Sequence, residues 1–395
     1  MSSATSILDD VFSTSVRQEL LELRHNLHRH PELSFQEERT ATKLHEYLGR
    51  LEPKALDRVA DTGVVARIKG RDPHVPVVAV RGDIDALPIQ EDTGLDFASV
   101  NSGVMHACGH DVHATWAVGA AHLLSQQPAA GDVLIVLQPA EETGRGASKI
   151  LESGALDDAS AIFGAHVDRR FAVGEVVADV GPLAASADTF SIELVGSGAH
   201  GARPQEGIDP IVGMASLITE LQIIVARRID PGTAAVVTVG TVQAGTAPNV
   251  IPGTASLSGT LRAIEPETRA KLHDELRAIA EHTAAAHHLE VAVDIEHGTP
   301  PIVNPEEPVA WARRAVSSLL GDEALKPLGT VNMGGEDFAF YMEKLPGCFL
   351  RIGAREQGGK VIPGHNPKFY AADESIFVGA AVLAETARIA SEALR

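Results

Sequence analysis

The feature that most narrows the fold is a set of short apolar runs, each closed by glycine or proline and separated by stretches of helical spacing. Val75–Val80 reads VPVVAV, Val133–Leu137 reads VLIVL, and Ala161–Phe163 is a shorter example. Runs of strand length that are apolar throughout fit strands covered on both faces. Between them, Ala114–Leu124 (ATWAVGAAHLL) has a helical pattern. Upstream, Leu20, Leu23 and Leu27 share one face of a helix expected over Ser15–His30, which Pro31 stops, and a second helix is expected from Gln36 to about Leu51. Strands alternating with helices predict an α/β domain on a mostly parallel sheet.

Near Asp188 the pattern changes. Thr189–Val195 (TFSIELV) alternates polar and apolar residues, as a half-exposed strand does. A long helix is expected over Ile208–Arg228, with Asp209 as its cap and Pro210 in its first position. Strands follow at Ala234–Val242 and within Val250–Ile264, then a helix at Pro266–His287 and an alternating strand at Leu289–Glu296. This order is the ferredoxin-like one. After Thr299 the α/β pattern returns, with helices near Glu306–Leu320 and Glu374–Leu394 and the strand-like CFLRI between them. The expected architecture is therefore an α/β domain over residues 1–186 and 299–395, with an inserted α+β domain at 187–298.

Composition excludes several classes. A chain of 395 residues that is 44% hydrophobic and 22% charged can bury a large core. No unbroken apolar run approaches the roughly 18 residues of a membrane span. A net charge of −20 opposes binding to nucleic acid or anionic membrane. The first 27 residues lack a secretory pattern, so the expected compartment is the cytoplasm. Two cysteines, Cys108 and Cys348, cannot make a disulfide framework.

Acid, thiol and imidazole clusters stand at the ends of the expected strands, where ligands collect on open α/β sheets. RGDIDALP carries Asp83 and Asp85; HACGHDVH carries His106, Cys108, His110, Asp111 and His113; QPAEE carries Glu141 and Glu142; AIFGAH ends on His166. Taken singly, adjacent glutamates fit a solvated loop, and a single histidine fits a core or surface position. Together they match metal chemistry: thiolate and imidazole suit zinc or its neighbours, and carboxylates suit harder ions such as manganese. Of two adjacent carboxylates, one can bind metal while the other takes a proton from water.

RGDIDALPI, GVMHACGHDVHATWAVGAA, LQPAEETGRGA, FGAHV, APNVIP, GTLR, GGEDFAFY and GHNPKF together resemble the aminoacylase and hippurate-hydrolase branch of the dinuclear metallopeptidases. That family also includes glutamate carboxypeptidase, peptidase T and auxin-conjugate hydrolases. The resemblance implies two divalent ions per subunit, zinc or manganese first and cobalt or nickel as alternatives, held by Cys108, His110, Glu142, His166 and His365. It implies Glu141 as general base, with Asp85 supporting a ligand from behind. In the inserted domain, which would act as lid and dimerisation unit, it implies that His200 steadies the oxyanion in a neighbouring subunit's site. Asn249 and Arg262 would hold the substrate's carboxylate or carbonyl, although Asn249 also fits a plain turn and Arg262 a sheet-edge ion pair. Roles for Asp83, Glu336 and Asp337 stay open. Gln205, the ATWAV segment and Asp168–Arg170 depart from the family pattern and bear on substrate identity.

The expected activity is hydrolysis of the amide of an N-acyl amino acid or small dipeptide by a homodimer. Two rivals are hydrolysis of an aromatic amine or other non-peptide amide, and a catalytically inactive binding protein on the same fold. A zinc nucleobase deaminase is disfavoured, because the Pro-Cys-x-x-Cys half of that signature is missing.

Overall fold

The computed structural model of the protein describes residues 11–395. Met1–Asp10, on which the reading of the N-terminus partly rests, lies outside them. The chain divides into two compact units, one comprising Met1–Gly181, Asn304–Gly329 and Asp337–Arg395, the other Pro182–Val303 and Thr330–Glu336.

The first unit is built on a seven-stranded sheet. Its middle strands, Val133–Gln138, Val77–Asp83, Ala159–Ala172 and Gly347–Arg355, lie side by side and parallel. Ala55–Val59 and Gly63–Ile68 extend one edge antiparallel, and Val176–Val177 closes the other. Every residue of Val133–Gln138 is buried, as the continuous apolar run requires. The strand expected at Ala161–Phe163 is far longer, at 14 residues. Its apolar part ends at Val167, and the polar remainder pairs with Gly347–Arg355 through a register shift, which an apolar-run criterion cannot see.

Helices cover this sheet. Thr14–Arg29 buries Leu20, Leu23 and Leu27. His110–Gln126 and Glu374–Ala393 pack against each other so closely that Gly119 faces Ala380 and Gly379 faces the Trp116 ring. A Cβ on Gly379 would stand 2.2 Å from that ring. The helices thus meet where one side chain is missing and the other is an indole, which accounts for ATWAV.

In the second unit a four-stranded antiparallel sheet runs in the order Ala235–Ala244, Thr254–Ala263, Ala187–Val195, Glu290–Thr299. Helices Pro210–Ile223 and Pro266–Ala286 pack on it, which gives the ferredoxin-like arrangement. Along Ala187–Val195, Asp188, Phe190, Ile192 and Leu194 alternate inward. Asp209 caps its helix by accepting the Ile211 N–H (2.8 Å), with Pro210 in the first turn. A single π turn, Ile224–Arg228, prolongs that helix. Together, Pro210–Arg228 reach the length and hydropathy of a membrane span, which unbroken apolar runs did not reveal. Met214, Leu217 and Leu221 bury one face of it in the unit's core, while Ile211, Val212 and Val225 stand exposed on the rest.

Candidate metal centre

The parallel strands deliver the chemical motifs to one edge of the first unit. Asp83 ends its strand, Glu141 and Glu142 form a single turn just beyond Gln138, and His110 opens its helix immediately after the Cys108 loop. Ala140 (φ 54°) and His365 (φ 63°) are non-glycine residues held in the left-handed region. That conformation costs about 1–3 kcal/mol and persists only where the surroundings enforce it.

Six side chains converge there. Cys108 Sγ lies 3.3 Å from His166 Nε2, and His365 Nε2 lies 3.4 Å from Glu142 Oε2. His110 Nε2 stands 3.9 Å from both Glu141 Oε2 and Glu142 Oε1. Within each of the sets Cys108–His110–His166, Cys108–Glu142–His365 and His110–Glu141–Glu142, the candidate ligand atoms lie within 4.8 Å of one another. Ligand atoms sharing one small cation stand about 3–4 Å apart. Among the described residues, His110 Nε2 and Glu142 Oε1 are buried without any hydrogen-bond partner, a combination that native interiors seldom tolerate. A soft sulfur, three imidazoles and a carboxylate suit a divalent cation there.

The tautomers agree. Asp85 Oδ1 lies 3.1 Å from His110 Nδ1, and the Val167 carbonyl lies 2.7 Å from His166 Nδ1. Both acceptors place the proton on Nδ1 and leave an Nε2 lone pair facing the cluster. His113 is different, although it shares the motif. Its Nδ1 donates to Asp83 Oδ1 (2.6 Å) and its Nε2 accepts the Val167 N–H (2.9 Å), so neither nitrogen is free to bind metal. It anchors the strand bearing His166. Asp83 in turn pairs with Arg81, and both are fully buried.

The electrostatics favour added positive charge. Burial opposes protonation of His110, but Asp83 and Asp85 prevail and raise it well above the usual imidazole value. Burial also opposes ionisation of Asp83, yet Arg81 and the two imidazoles hold it well below the usual range. Burial, with the charge of Glu142, pushes the Cys108 thiol up to about 12, so a thiolate there needs a cation against the sulfur. Burial, His113 and Arg351 push His166 well down, which keeps it neutral.

Glu141 is half-buried beside this cluster, and the Asp337 N–H approaches its Oε1 at 3.4 Å. The Asp337 carboxylate is fully buried and accepts from Gln138 Nε2 (2.9 Å), Ala147 N–H (3.0 Å) and Arg81 Nη2 (3.0 Å). That gives the second acid of GGEDFAFY a structural account. Glu336 is buried and belongs to the second unit. Of the remaining departures, Asp168 pairs with exposed Arg170, and Gln205 is exposed in a short turn. Buried Arg169 donates to the carbonyls of Lys360 and Tyr370, which flank His365.

In the second unit, His200 lies opposite Val250 in a two-residue ladder, and the Gly201 N–H donates to the Asn249 carbonyl (2.8 Å). His200 and Asn249 are therefore neighbours, and both are exposed. Arg262 is half-buried on Thr254–Ala263, opposite Val236.

Glu37 carries no functional signature in the sequence. It is fully buried, and its carboxylate accepts the Ala140 N–H at 2.9 Å. In ELSFQEERT it looked like the start of a helix, and only an acid with no exposed position could have raised suspicion.

Comparison with known proteins agrees with this geometry. Residues 79–389 match the model of peptidase family M20/M25/M40. An N-acetylcysteine deacetylase of Bacillus subtilis is 41% identical over 95% of this chain and 98% of its own. The IAA-amino acid hydrolase ILR1-like 2 of Arabidopsis thaliana is 36% identical over 97% of this chain and 88% of its own. A dinuclear metal-binding M20 peptidase of known structure, also from B. subtilis, superposes with a TM-score of 0.86 at 38% identity, covering 96% of this chain and 99% of that one. The chain belongs to the M20 peptidase family. It is a hydrolase of carbon–nitrogen amide bonds, with the fold of a dinuclear metal-binding peptidase and a matching set of candidate ligands.

Proposed function

We propose that the protein hydrolyses the amide of N-acyl amino acids or small dipeptide-like substrates, using two divalent ions, zinc or manganese, held by Cys108, His110, Glu142, His166 and His365. The observation that carries this is the convergence of those donors with Glu141 left beside them, held from behind by the Asp337 N–H. When bound, such ions polarise the substrate carbonyl and acidify water. Glu141 takes a proton from the water that attacks the carbonyl carbon. As the C–N bond breaks, it passes that proton to the departing amine nitrogen, giving a carboxylate and a free amine. Asp85 holds His110 in the ligating tautomer, and His113, backed by Asp83, fixes the strand at Val167, next to His166.

The second unit supplies the rest of this reading. His200 steadies the developing oxyanion in a neighbouring subunit's site, while Asn249 and Arg262 hold the substrate's carboxylate or carbonyl. A homodimer follows from that arrangement. It is supported by the edge strand Ala235–Ala244, which exposes Val236 and Val242, and by Ile211 and Val212 exposed on the adjoining helix. Two unpaired cysteines suit the reducing cytoplasm.

The test is release of free amino acid from a panel of N-acyl amino acids, after metal removal and reconstitution with each ion. Glu141→Gln should keep its metal and lose about 10²- to 10⁴-fold in kcat. Full activity in that variant would remove Glu141 as base, and an inert wild-type panel would remove the substrate class.

A further inference from the structure

We propose that Glu37 is a positioning residue that sets the turn carrying the base, an inference that rests on Glu141 having that role. The turn is awkward to build. Ala140 precedes Glu141 with φ 54°, a region alanine avoids, and Pro139 before it cannot donate a hydrogen bond. A Cβ on Gly146 would fall 1.7 Å from the Pro139 carbonyl, so the chain folds back tightly on itself.

Two buried carboxylates hold alternate amides of this turn. Glu37 Oε1 accepts the Ala140 N–H at 2.9 Å, and Asp85 Oδ2 accepts the Glu142 N–H at 3.1 Å. Glu141, between them, is fixed in direction by its two neighbours. Both carboxylates are themselves steadied. The Thr62 hydroxyl donates to Glu37 Oε2 at 2.5 Å, and the Ser34 hydroxyl donates to Asp85 Oδ2 at 2.7 Å. Between Ser34 and Glu37 lies Phe35, another non-glycine residue in the left-handed region (φ 61°). The segment from Ser34 to Glu37 is thus a bracket under the catalytic turn, remote from it in sequence.

A hydrogen-bond acceptor is what this role needs, so Glu37→Gln keeps it, because the amide oxygen can accept from Ala140 and the Thr62 hydroxyl can rotate to accept from the amide. We expect Glu37→Gln to stay within about threefold of wild-type kcat. Glu37→Leu removes the acceptor and should lose about a hundredfold in kcat, the scale of an ångström misplacement of a reacting group. KM should change by less than about threefold, since a misplaced base spares ground-state binding, and metal content should match wild type. Ala140→Gly supplies the left-handed turn without strain, so in that background Glu37→Leu should cost about tenfold or less. An equal loss in both backgrounds, an unchanged kcat in Glu37→Leu, or ions lost together with activity would each overturn the inference. If Glu37→Leu does not fold, Thr62→Val carries the same comparison: a kcat loss of about three- to tenfold that shrinks in the Ala140→Gly background supports the inference, and no loss overturns it. Glu141→Gln runs alongside. If it is inactive while Glu37→Leu is fully active, only the positioning role falls; if it is itself fully active, the base assignment falls.

Discussion

Asp85 shows how much one residue carries behind the ligand set. One of its oxygens faces His110 Nδ1 at 3.1 Å, and the other accepts the Glu142 N–H at 3.1 Å and the Ser34 hydroxyl at 2.7 Å. Burial works against its charge, yet the hydrogen bond and charge of His110 keep its carboxyl below the usual range. Asp85→Ala should release the His110 ring and lower metal affinity by about 10- to 100-fold, read by competition with a chromogenic chelator. Wild-type affinity in that variant would show that the histidine needs no support. His113 is the counterpart: it stands in the same motif, but both ring nitrogens are taken, so His113→Gln should loosen the strand at Val167, next to His166, without removing a ligand. At this scale the sequence was legible for donor types and nearly silent on their partners. HACGHDVH advertises three imidazoles alike, and only the folded chain separates His110 from His113 by what faces each nitrogen.

Elements were easier to read, because periodicity reports burial directly. The helix Glu306–Leu320 and the strand Val133–Gln138 fall almost where their patterns place them, and Pro210 with Asp209 marks a helix start by local chemistry alone. The long strand Ala159–Ala172 is legible only in its apolar part, since Asp168–Arg170 pair with charged and backbone partners that no apolar count detects. Packing between elements was the least legible, as the Gly379–Trp116 contact shows. There the indole fills the space that a side chain on Gly379 would need, and the same indole stacks on His113 at 4.6 Å. Gly379→Ala should force Trp116 to shift and destabilise the protein by about 1–3 kcal/mol, the cost of overpacking a core. Thermal unfolding measures this, and a Tm equal to wild type would mean that the helix pair can part without penalty.

For the whole molecule, each unit has its own hydrophobic core and buried aspartates tied to arginine: Asp111 to Arg24 and Asp83 and Asp337 to Arg81 in the first, and Asp188 to Arg269 in the second. Most of the described carboxylates are at least partly exposed to water, so the few buried ones shape the response to acid. Asp188 is instructive because its four hydrogen bonds saturate it. Arg269 grips both oxygens, at 2.8 and 2.6 Å, the Gly298 N–H donates at 2.9 Å, and His273 Nε2 lies at 2.8 Å. The nearby trio Asp188–His273–His297 has the spacing of a metal site, but no lone pair on Asp188 is left to serve one. Burial pushes this carboxyl up, whereas the hydrogen bonds to Arg269 and His273 and the charge of Arg269 bring it below the usual value. A depressed folded pKa gives stability that is present above the unfolded pKa of about 3.9 and is lost as pH falls through the lower folded value. Arg269→Met leaves Asp188 buried with weaker partners, so its pKa rises and the sign reverses: the variant's deficit is greatest near neutrality and shrinks as acid protonates the orphaned carboxylate. Removing one partner of a buried pair costs about 3–5 kcal/mol at neutral pH. Urea unfolding of both proteins from about pH 7 down to about pH 3.5, just below the unfolded carboxylate value, would measure the narrowing gap. A difference independent of pH would show that Arg269 stabilises the unit by packing rather than by its charge.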